Sequence, residues 1–225
     1  MAIRLETPLP RRDNAPGPFP GRPLIEGHPE ALVRINDPDV DMVIWARDVP
    51  GVIKDWLGTL AWDDLPSGRV LIKPEEASAV LVEILDRSST PKSLGADMFI
   101  ADAADMVSRF AEIAGCNLVD VRVDAIRHDA CWRFHRDCVP FRLITTYLGP
   151  GTEFVDPADS ERALQDQKTF AGKVHRVPSF AVSVFKGSRS VDGAGIVHRS
   201  PPIAGTGQHR LVLCLNTPSI TSPQR

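Results

Sequence analysis

The hydrophobic period of the sequence changes after Asn117, and this change constrains the fold more than any other feature. Before it, apolar residues recur every three or four positions, as on one face of a helix. After it, residues 118–126 alternate apolar and polar side chains, the pattern of a strand with one buried face. Further β-rich segments follow, separated by glycine and proline turns. The pattern predicts an α+β chain, with helices first and a β core second.

This change of period and the composition divide the chain into four regions. Residues 1–24 contain six prolines and predict a flexible leader. Residues 25–116 predict a mostly helical region, and residues 117–218 an antiparallel barrel or jelly roll. Residues 219–225 form the expected C-terminal tail.

Individual elements follow from local signals. In the helical region we expect a short strand at 42–45 and helices at 52–62, from Pro74 onward, and at 96–114, the last ending at Gly115. The β region predicts strands at residues 118–126, 141–148, 153–155, 179–185, 195–198 and 210–215. No helix is expected between these strands.

Composition excludes several classes of protein. A hydrophobic fraction of 43% supports a real core, while a net charge of -3 argues against a general nucleic-acid binder. No apolar run approaches the roughly 18 residues of a membrane span. The N-terminal residues have arginine and proline where a signal peptide needs an apolar stretch. Four cysteines are no disulfide framework in a chain of this size, so we expect a cytoplasmic protein. From the charge and the apolar runs together we expect neither nucleic-acid nor membrane partners.

A short polar motif carries the chemistry of the β region. His135 and Asp137 are two residues apart, so on a strand they point to the same face. His198 follows 61 residues after Asp137, and Arg210 follows 12 residues after that histidine. Two imidazoles and one carboxylate on one side of a metal leave its other side open, the arrangement of non-haem Fe(II) oxygenases.

The segments around this motif resemble the Fe(II)/2-oxoglutarate-dependent dioxygenases. The resemblance lies in residues 134–137, 145–155, 197–202 and 209–213, within a stretch from 118 to 217. It implies a double-stranded β-helix, a jelly-roll or cupin-like barrel. The whole chain is also similar to a bacterial family described only as a domain of unknown function.

The resemblance also implies roles for individual residues. His135, Asp137 and His198 would be the catalytic metal ligands for Fe(II), and Arg210 would bind the distal carboxylate of the cosubstrate 2-oxoglutarate. Tyr147 would hydrogen-bond the same carboxylate. Chemistry supports these roles, because imidazole and carboxylate suit divalent iron and a guanidinium pairs bidentately with a carboxylate. The implied activity is a hydroxylase-type oxygenase, whose small-molecule or protein substrate the sequence does not identify.

One departure from the family leaves an alternative open. Many relatives have serine or threonine two residues after the arginine, where this chain has Val212. A relative that binds a metal without 2-oxoglutarate therefore remains an alternative hypothesis.

A zinc site is the second alternative. Four nitrogen and sulfur donors at short spacing could enclose Zn(II), as in a metal-handling protein; they are His128, Cys131, His135 and Cys138. Such a site would leave Asp137 and the distant histidine without a role. Either cysteine could also pair with a histidine for nucleophilic catalysis, although nothing in the sequence fixes such a pair.

The remaining candidates have two interpretations each. Trp132 and Phe134 either pack structurally or line a substrate entrance, and Arg142 is either a solvated strand residue or a substrate contact. The helical region could cover the barrel, form the substrate entrance or make a homodimer interface.

Overall fold

The computed structural model describes residues 23–191 and 195–223. The predicted leader lies almost wholly outside this part of the chain, as do the last two residues of the predicted tail. Its strands are β1 (Leu24–Glu26), β2 (Met42–Trp45), β3 (Gly68–Ile72), β4 (Val119–Ile126), β5 (Phe141–Leu148), β6 (Glu153–Val155), β7 (Val174–Arg176), β8 (Val182–Lys186), β9 (His198–Arg199) and β10 (Arg210–Asn216). Its α-helices are α1 (Gly51–Thr59), α2 (Ala77–Arg87), α3 (Leu94–Ala114) and α4 (Ser160–Asp166).

Seven strands form one large sheet in the order β1-β2-β8-β5-β10-β4-β3. Only β1 and β2 are parallel, and the other neighbours in this sheet run antiparallel. The predicted mixture of helices and β structure is confirmed. The region predicted as mostly helical nevertheless supplies β1, β2 and β3. Of these, only β2 was predicted. Strand β1 has three residues, too few for a pattern, and β3 alternates weakly and lies at the sheet edge with β4 as its single neighbour.

Helices α1, α2 and α3 cover one face of the large sheet. The long helix α3 begins at Ser93, whose hydroxyl accepts a hydrogen bond from the amide of Ala96 at 3.2 Å. It ends at Gly115, which has a φ of 59°, so the predicted glycine stop is confirmed. Phe99, Phe110 and other side chains of α3 are buried in the core between helix and sheet. Among the described residues, no helix has the length and apolar content for crossing a bilayer.

A second, three-stranded sheet has the order β7-β6-β9, with both pairs antiparallel. Helix α4 lies in sequence between β6 and β7, so the expectation that no helix interrupts the strands is wrong. Its Ala163 is fully buried against Phe134, Val155 and Val197, in a small cluster separate from the main core. The helix has only seven residues, too few for a clear helical period in the sequence.

Candidate metal centre

Two backbone hydrogen bonds join the remote halves of the predicted motif. The amide of His135 donates to the carbonyl of His198 at 3.0 Å, and the amide of His198 donates back at 3.1 Å. Asp137 follows two residues after the first histidine. The pairing places His198 Nε2 3.2 Å from Asp137 Oδ2, and His135 Nε2 3.3 Å from Asp137 Oδ1. The ligand atoms of the three residues lie within 4.8 Å of one another.

Each imidazole is oriented by a backbone carbonyl. Nδ1 of His135 lies 2.8 Å from the carbonyl oxygen of Arg133, and Nδ1 of His198 lies 3.1 Å from that of Ile196. A carbonyl only accepts hydrogen bonds, so both Nδ1 atoms carry the proton. In each neutral ring, Nε2 then carries a lone pair that is directed at the carboxylate of Asp137. This orientation of imidazole ligands is typical of metal sites.

Asp137 remains an anion at this position. Burial would raise the pKa of Asp137, but the two histidines and Arg142 hold that pKa well below its usual range. Burial would lower the pKa of His135, yet the contact with Asp137 leaves it raised. Among the described residues, the buried Oδ2 of Asp137 accepts no aligned hydrogen bond, and Arg142 contacts it as an ion pair. Two nitrogen lone pairs and a carboxylate that face one point fit a divalent cation.

Arg210 lies in the same cavity as the two histidines, and it is a buried cation with no ion-pair partner in residues 23–191 and 195–223. Its side chain donates to the Pro150 carbonyl at 2.7 Å, to Ser200 Oγ at 3.0 Å and to Thr146 Oγ1 at 3.4 Å. The residue is only 1% exposed, and no ion pair within the described residues includes it. Burial lowers the pKa of Arg210 to about 10, so the guanidinium stays charged at neutral pH. An anionic ligand would supply the missing countercharge.

A glycine allows the first of these contacts. Gly149 has a φ of 77°, and a Cβ placed on it would lie 2.2 Å from the carbonyl oxygen of His209. The chain therefore turns directly beside the start of β10 only because this residue has no side chain. The turn brings the Pro150 carbonyl against Arg210.

The cavity itself has a volume of about 80 Å³ and lies on the face of the large sheet opposite the helices. Strands β4, β5 and β10 provide its floor. Ile126, Ile144 and Val212 make part of this floor apolar, and Cys214 lies among them. Val212 carries no hydroxyl, and the hydroxyls beside Arg210 come from Ser200 and Thr146.

Tyr147 does not reach this cavity. Its hydroxyl donates to Asp102 Oδ2 on α3 at 2.6 Å, and its ring packs on Phe99 with centroids 4.7 Å apart. The prediction that it shares a carboxylate with Arg210 is therefore wrong. Alternation along β5 gives the reason, because the preceding residue, Thr146, faces Arg210 and Tyr147 faces the helices.

The four residues of the alternative zinc site do not come together. Within the described part of the chain, His135, Asp137 and His198 are the one group of three or more potential ligands that converges. Cys131 and Cys138 are both exposed thiols. Zinc binding through these cysteines is therefore not supported.

The two aromatic candidates separate into the two interpretations considered for them. Phe134 is buried, with its ring 5.5 Å from that of Phe170, so it packs structurally. Trp132 lines an outer cavity next to His135, and the amine of Lys168 lies 4.4 Å from its ring centroid. Trp132 is thus placed at the approach to the metal centre.

Three residues of the site were not assigned there from the sequence. Arg142 forms an ion pair with Asp137, and Ser200 and Thr146 contact Arg210. Parity provides a signal for one of them: Ser200 follows His198 by two residues, so both point to the same side of an extended segment. The other two depend on which strands are neighbours, which the sequence pattern does not specify.

Comparisons with known proteins place the chain in a family. A family model described as "Protein of unknown function (DUF1826)" matches residues 26–216. The chain belongs to this family. This match confirms the expected membership of a family of unknown function. A search of curated proteins found no match to this chain.

Among solved structures, the chain is similar to several oxygenases. With the dioxygenase for auxin oxidation 1 from Arabidopsis thaliana, in binary complex with 2-oxoglutarate, it shares 9% identity over 92% of this chain and 95% of that one, at a TM-score of 0.48. With a Pseudomonas putida prolyl-4-hydroxylase it shares 15% identity over 74% of this chain and 91% of that one, at a TM-score of 0.34. With full-length Neurospora crassa T7H in complex with alpha-KG it shares 11% identity over 86% of this chain and 82% of that one, at a TM-score of 0.42. These TM-scores lie below 0.5, so the case for an activity comes from the site residues.

Proposed function

We propose that this protein is an Fe(II)- and 2-oxoglutarate-dependent oxygenase of the hydroxylase type. The observation that carries the proposal is the position of an unneutralised guanidinium, Arg210, in the same cavity as a convergent His135, Asp137 and His198. A facial set of two imidazoles and one carboxylate leaves adjacent metal positions open. The buried cation calls for an anion in the same cavity, and 2-oxoglutarate supplies both a chelating end and a distal carboxylate.

The proposal gives each residue a defined task. His135, Asp137 and His198 would hold Fe(II), and Arg210 would bind the distal carboxylate of 2-oxoglutarate. Bound iron, with 2-oxoglutarate and O2, supplies the oxidising chemistry. The protein orients the reactants and excludes water through the apolar part of the cavity. Bidentate binding at Arg210 would set the direction in which the cosubstrate extends toward the metal.

A double-stranded β-helix is part of the same proposal. We interpret the large and small sheets as the two halves of a double-stranded β-helix with the metal centre between them. The antiparallel pairing within each sheet, apart from the β1–β2 pair, and the bridge between His135 and His198 support this interpretation.

An anaerobic titration tests the cosubstrate claim. Metal-free protein is loaded with Fe(II), then titrated with 2-oxoglutarate while the visible absorption spectrum is recorded. Chelation of iron by the 2-oxo acid should produce a weak charge-transfer band. Folded, iron-loaded protein that develops no band would remove 2-oxoglutarate from the proposal and favour a metal protein of another kind.

A substitution tests the ligand assignment. His198→Ala removes one of the three donors, so stoichiometric Fe(II) binding should be lost while circular dichroism shows a retained fold. His175→Ala is the matched control, because His175 stacks on Phe154 outside the cavity and should leave iron binding unchanged. Retention of one iron per chain by His198→Ala would refute the assignment.

A further inference from the structure

The cavity contains another arginine, Arg142, to which the proposed function assigns no task. Its Nη1 lies 2.6 Å from Asp137 Oδ2, and its side chain is only 22% exposed. Its Nε donates to Asn216 Oδ1 at 2.6 Å. Asn216 is buried and lies directly opposite Arg142 in the β10–β5 register. The guanidinium is thus held between an amide on one strand and the carboxylate of a candidate metal ligand.

We propose that Arg142 is a positioning residue that restricts Asp137 to a single metal–oxygen bond. The inference rests on the proposed function, since it concerns the same metal centre. Carboxylates bind cations through one oxygen or through both. A guanidinium against Oδ2 engages the electron pairs of that oxygen in a charge-assisted contact. Each oxygen of Asp137 faces one imidazole, Oδ2 that of His198 at 3.2 Å and Oδ1 that of His135 at 3.3 Å. Only Oδ2 also contacts the guanidinium, so Oδ1 is the oxygen left for the ion.

The number of metal–oxygen bonds decides what else the ion can bind. An octahedral ion held by three donor atoms keeps three positions free, enough for a chelating 2-oxo acid and O2. A second bond from Asp137 would take one of these positions. Arg142 would therefore protect the coordination position on which the proposed reaction depends.

The positive charge of Arg142 distinguishes a positioning role from a role in raising metal affinity. A cation next to the ligand set opposes the binding of a divalent cation. If the position served affinity alone, a neutral hydrogen-bond donor would serve it better. The amide of Asn216 fixes the direction of the planar guanidinium, as outer partners commonly do for metal ligands.

The cavity contains a matched control. Arg122 lies on β4, which β10 separates from the strand of Arg142, and it lines the same cavity. Its Nε pairs with Asp124 at 2.6 Å, and none of its ion pairs involves a candidate metal ligand. Replacing Arg122 removes the same charge from the same cavity without freeing the carboxylate of Asp137.

The test counts the water molecules on a bound ion. Mn(II) is the probe, because it accepts nitrogen and oxygen donors and its bound waters relax bulk water protons. Water-proton relaxation should report about three exchangeable waters for the wild type and for Arg122→Met. Arg142→Met should lose one of them. Asn216→Ala, which releases the guanidinium while keeping the charge, should lower the count in the same direction and provides the measurement if Arg142→Met does not fold.

The outcomes separate this inference from the proposed function. Three waters in Arg142→Met, or in Asn216→Ala if it is the folded variant, would overturn the positioning role, and so would an equal loss in Arg122→Met. A wild type that binds no Mn(II) would refute the metal centre and this inference together. Added 2-oxoglutarate should displace two of the wild-type waters. If it displaces none while Arg142→Met still has one water fewer, the cosubstrate claim fails and the role of Arg142 stands.

Discussion

The two faces of the large sheet are built by the same strands and differ in almost every chemical respect. Along β10, Leu211, Leu213 and Leu215 are fully buried in the core on the helix-covered face. The alternate residues of the strand face the cavity; they are Arg210, Val212 and Cys214. Alternation in a buried strand therefore does not separate core from solvent here. It separates a packed core from a candidate reaction site.

Two buried arginines make the same comparison in terms of charge. Arg47, on the helix side, forms a bidentate ion pair with Asp102 and donates to the carbonyl of Phe180 at 3.1 Å. Arg210, on the cavity side, has only neutral acceptors within the described part of the chain. The fold neutralises the charge of Arg47, whereas the charge of Arg210 has no counter-ion among the described residues. Substitutions at the two positions should accordingly affect different measurable quantities.

The largest effect is expected from breaking the neutralised pair. Asp102→Ala leaves Arg47 as an uncompensated buried charge and Tyr147 without its acceptor, so the free energy of unfolding should fall by about 3–5 kcal/mol. Urea denaturation measures the change.

Asp105→Ala is the control for this variant, because Asp105 lies on the same helix in an exposed pair with Arg109. It should cost about 0.5 kcal/mol or less. Equal losses in the two variants would contradict the difference between a buried and an exposed pair.

Arg210→Met should show the opposite behaviour. Without ligand, its free energy of unfolding should stay within about 1 kcal/mol of the wild type, because relief from burying a charge offsets three lost hydrogen bonds. Binding of 2-oxoglutarate should weaken at least about 30-fold, from the loss of roughly 2 kcal/mol or more in a buried charge pair. Calorimetric titration of the metal-loaded protein measures this affinity. An unchanged affinity would mean that Arg210 is not the anchor.

Tyr147→Phe gives a smaller effect and tests which face the hydroxyl serves. The variant loses the hydrogen bond to Asp102, so the free energy of unfolding should decrease by about 1.5 kcal/mol. The affinity for 2-oxoglutarate should not change, since Tyr147 lies on the helix-covered face. A tenfold weaker affinity in a folded variant would place the hydroxyl in the cavity after all.

The smallest effect is expected from the exposed thiols. Replacing Cys131 and Cys138 together with alanine should alter metal affinity less than about twofold, because neither belongs to the convergent group of ligands. Competition between Fe(II) and Zn(II), followed by elemental analysis, measures any change. Loss of zinc binding in the double variant would restore the thiolate site as an explanation.

Local signals in the sequence were sufficient for much of the fold. The predicted bounds of β5 are confirmed, because a run of β-branched and aromatic residues stops at a glycine turn. The stop of α3 at Gly115 is likewise a local event. The convergence of His135, Asp137 and His198 was predicted, and the structure brings them together. The strand assumed for the first two is wrong, because His135 forms only an isolated bridge and Asp137 lies outside any strand.

What the sequence did not reveal depends on strand neighbours. Tyr147 and Thr146 are adjacent in a strand, and only the position of the helices decides which of them faces the cavity. Arg142 and Asn216 are 74 residues apart, and their contact follows from the register of β5 against β10. Neither register nor layer order is encoded in local periodicity, so these partners were missed.

The reciprocal backbone hydrogen bonds between His135 and His198 have a consequence for how the centre would be assembled. They join backbone atoms only, so their formation does not require a bound ion. The ligands would then be preorganised, and ion capture would require little ordering of the chain. Such a protein differs from a zinc finger, whose fold collapses when a chelator removes its metal. Here a chelator should remove the ion and leave the fold intact, so that the metal-free protein can bind an ion again.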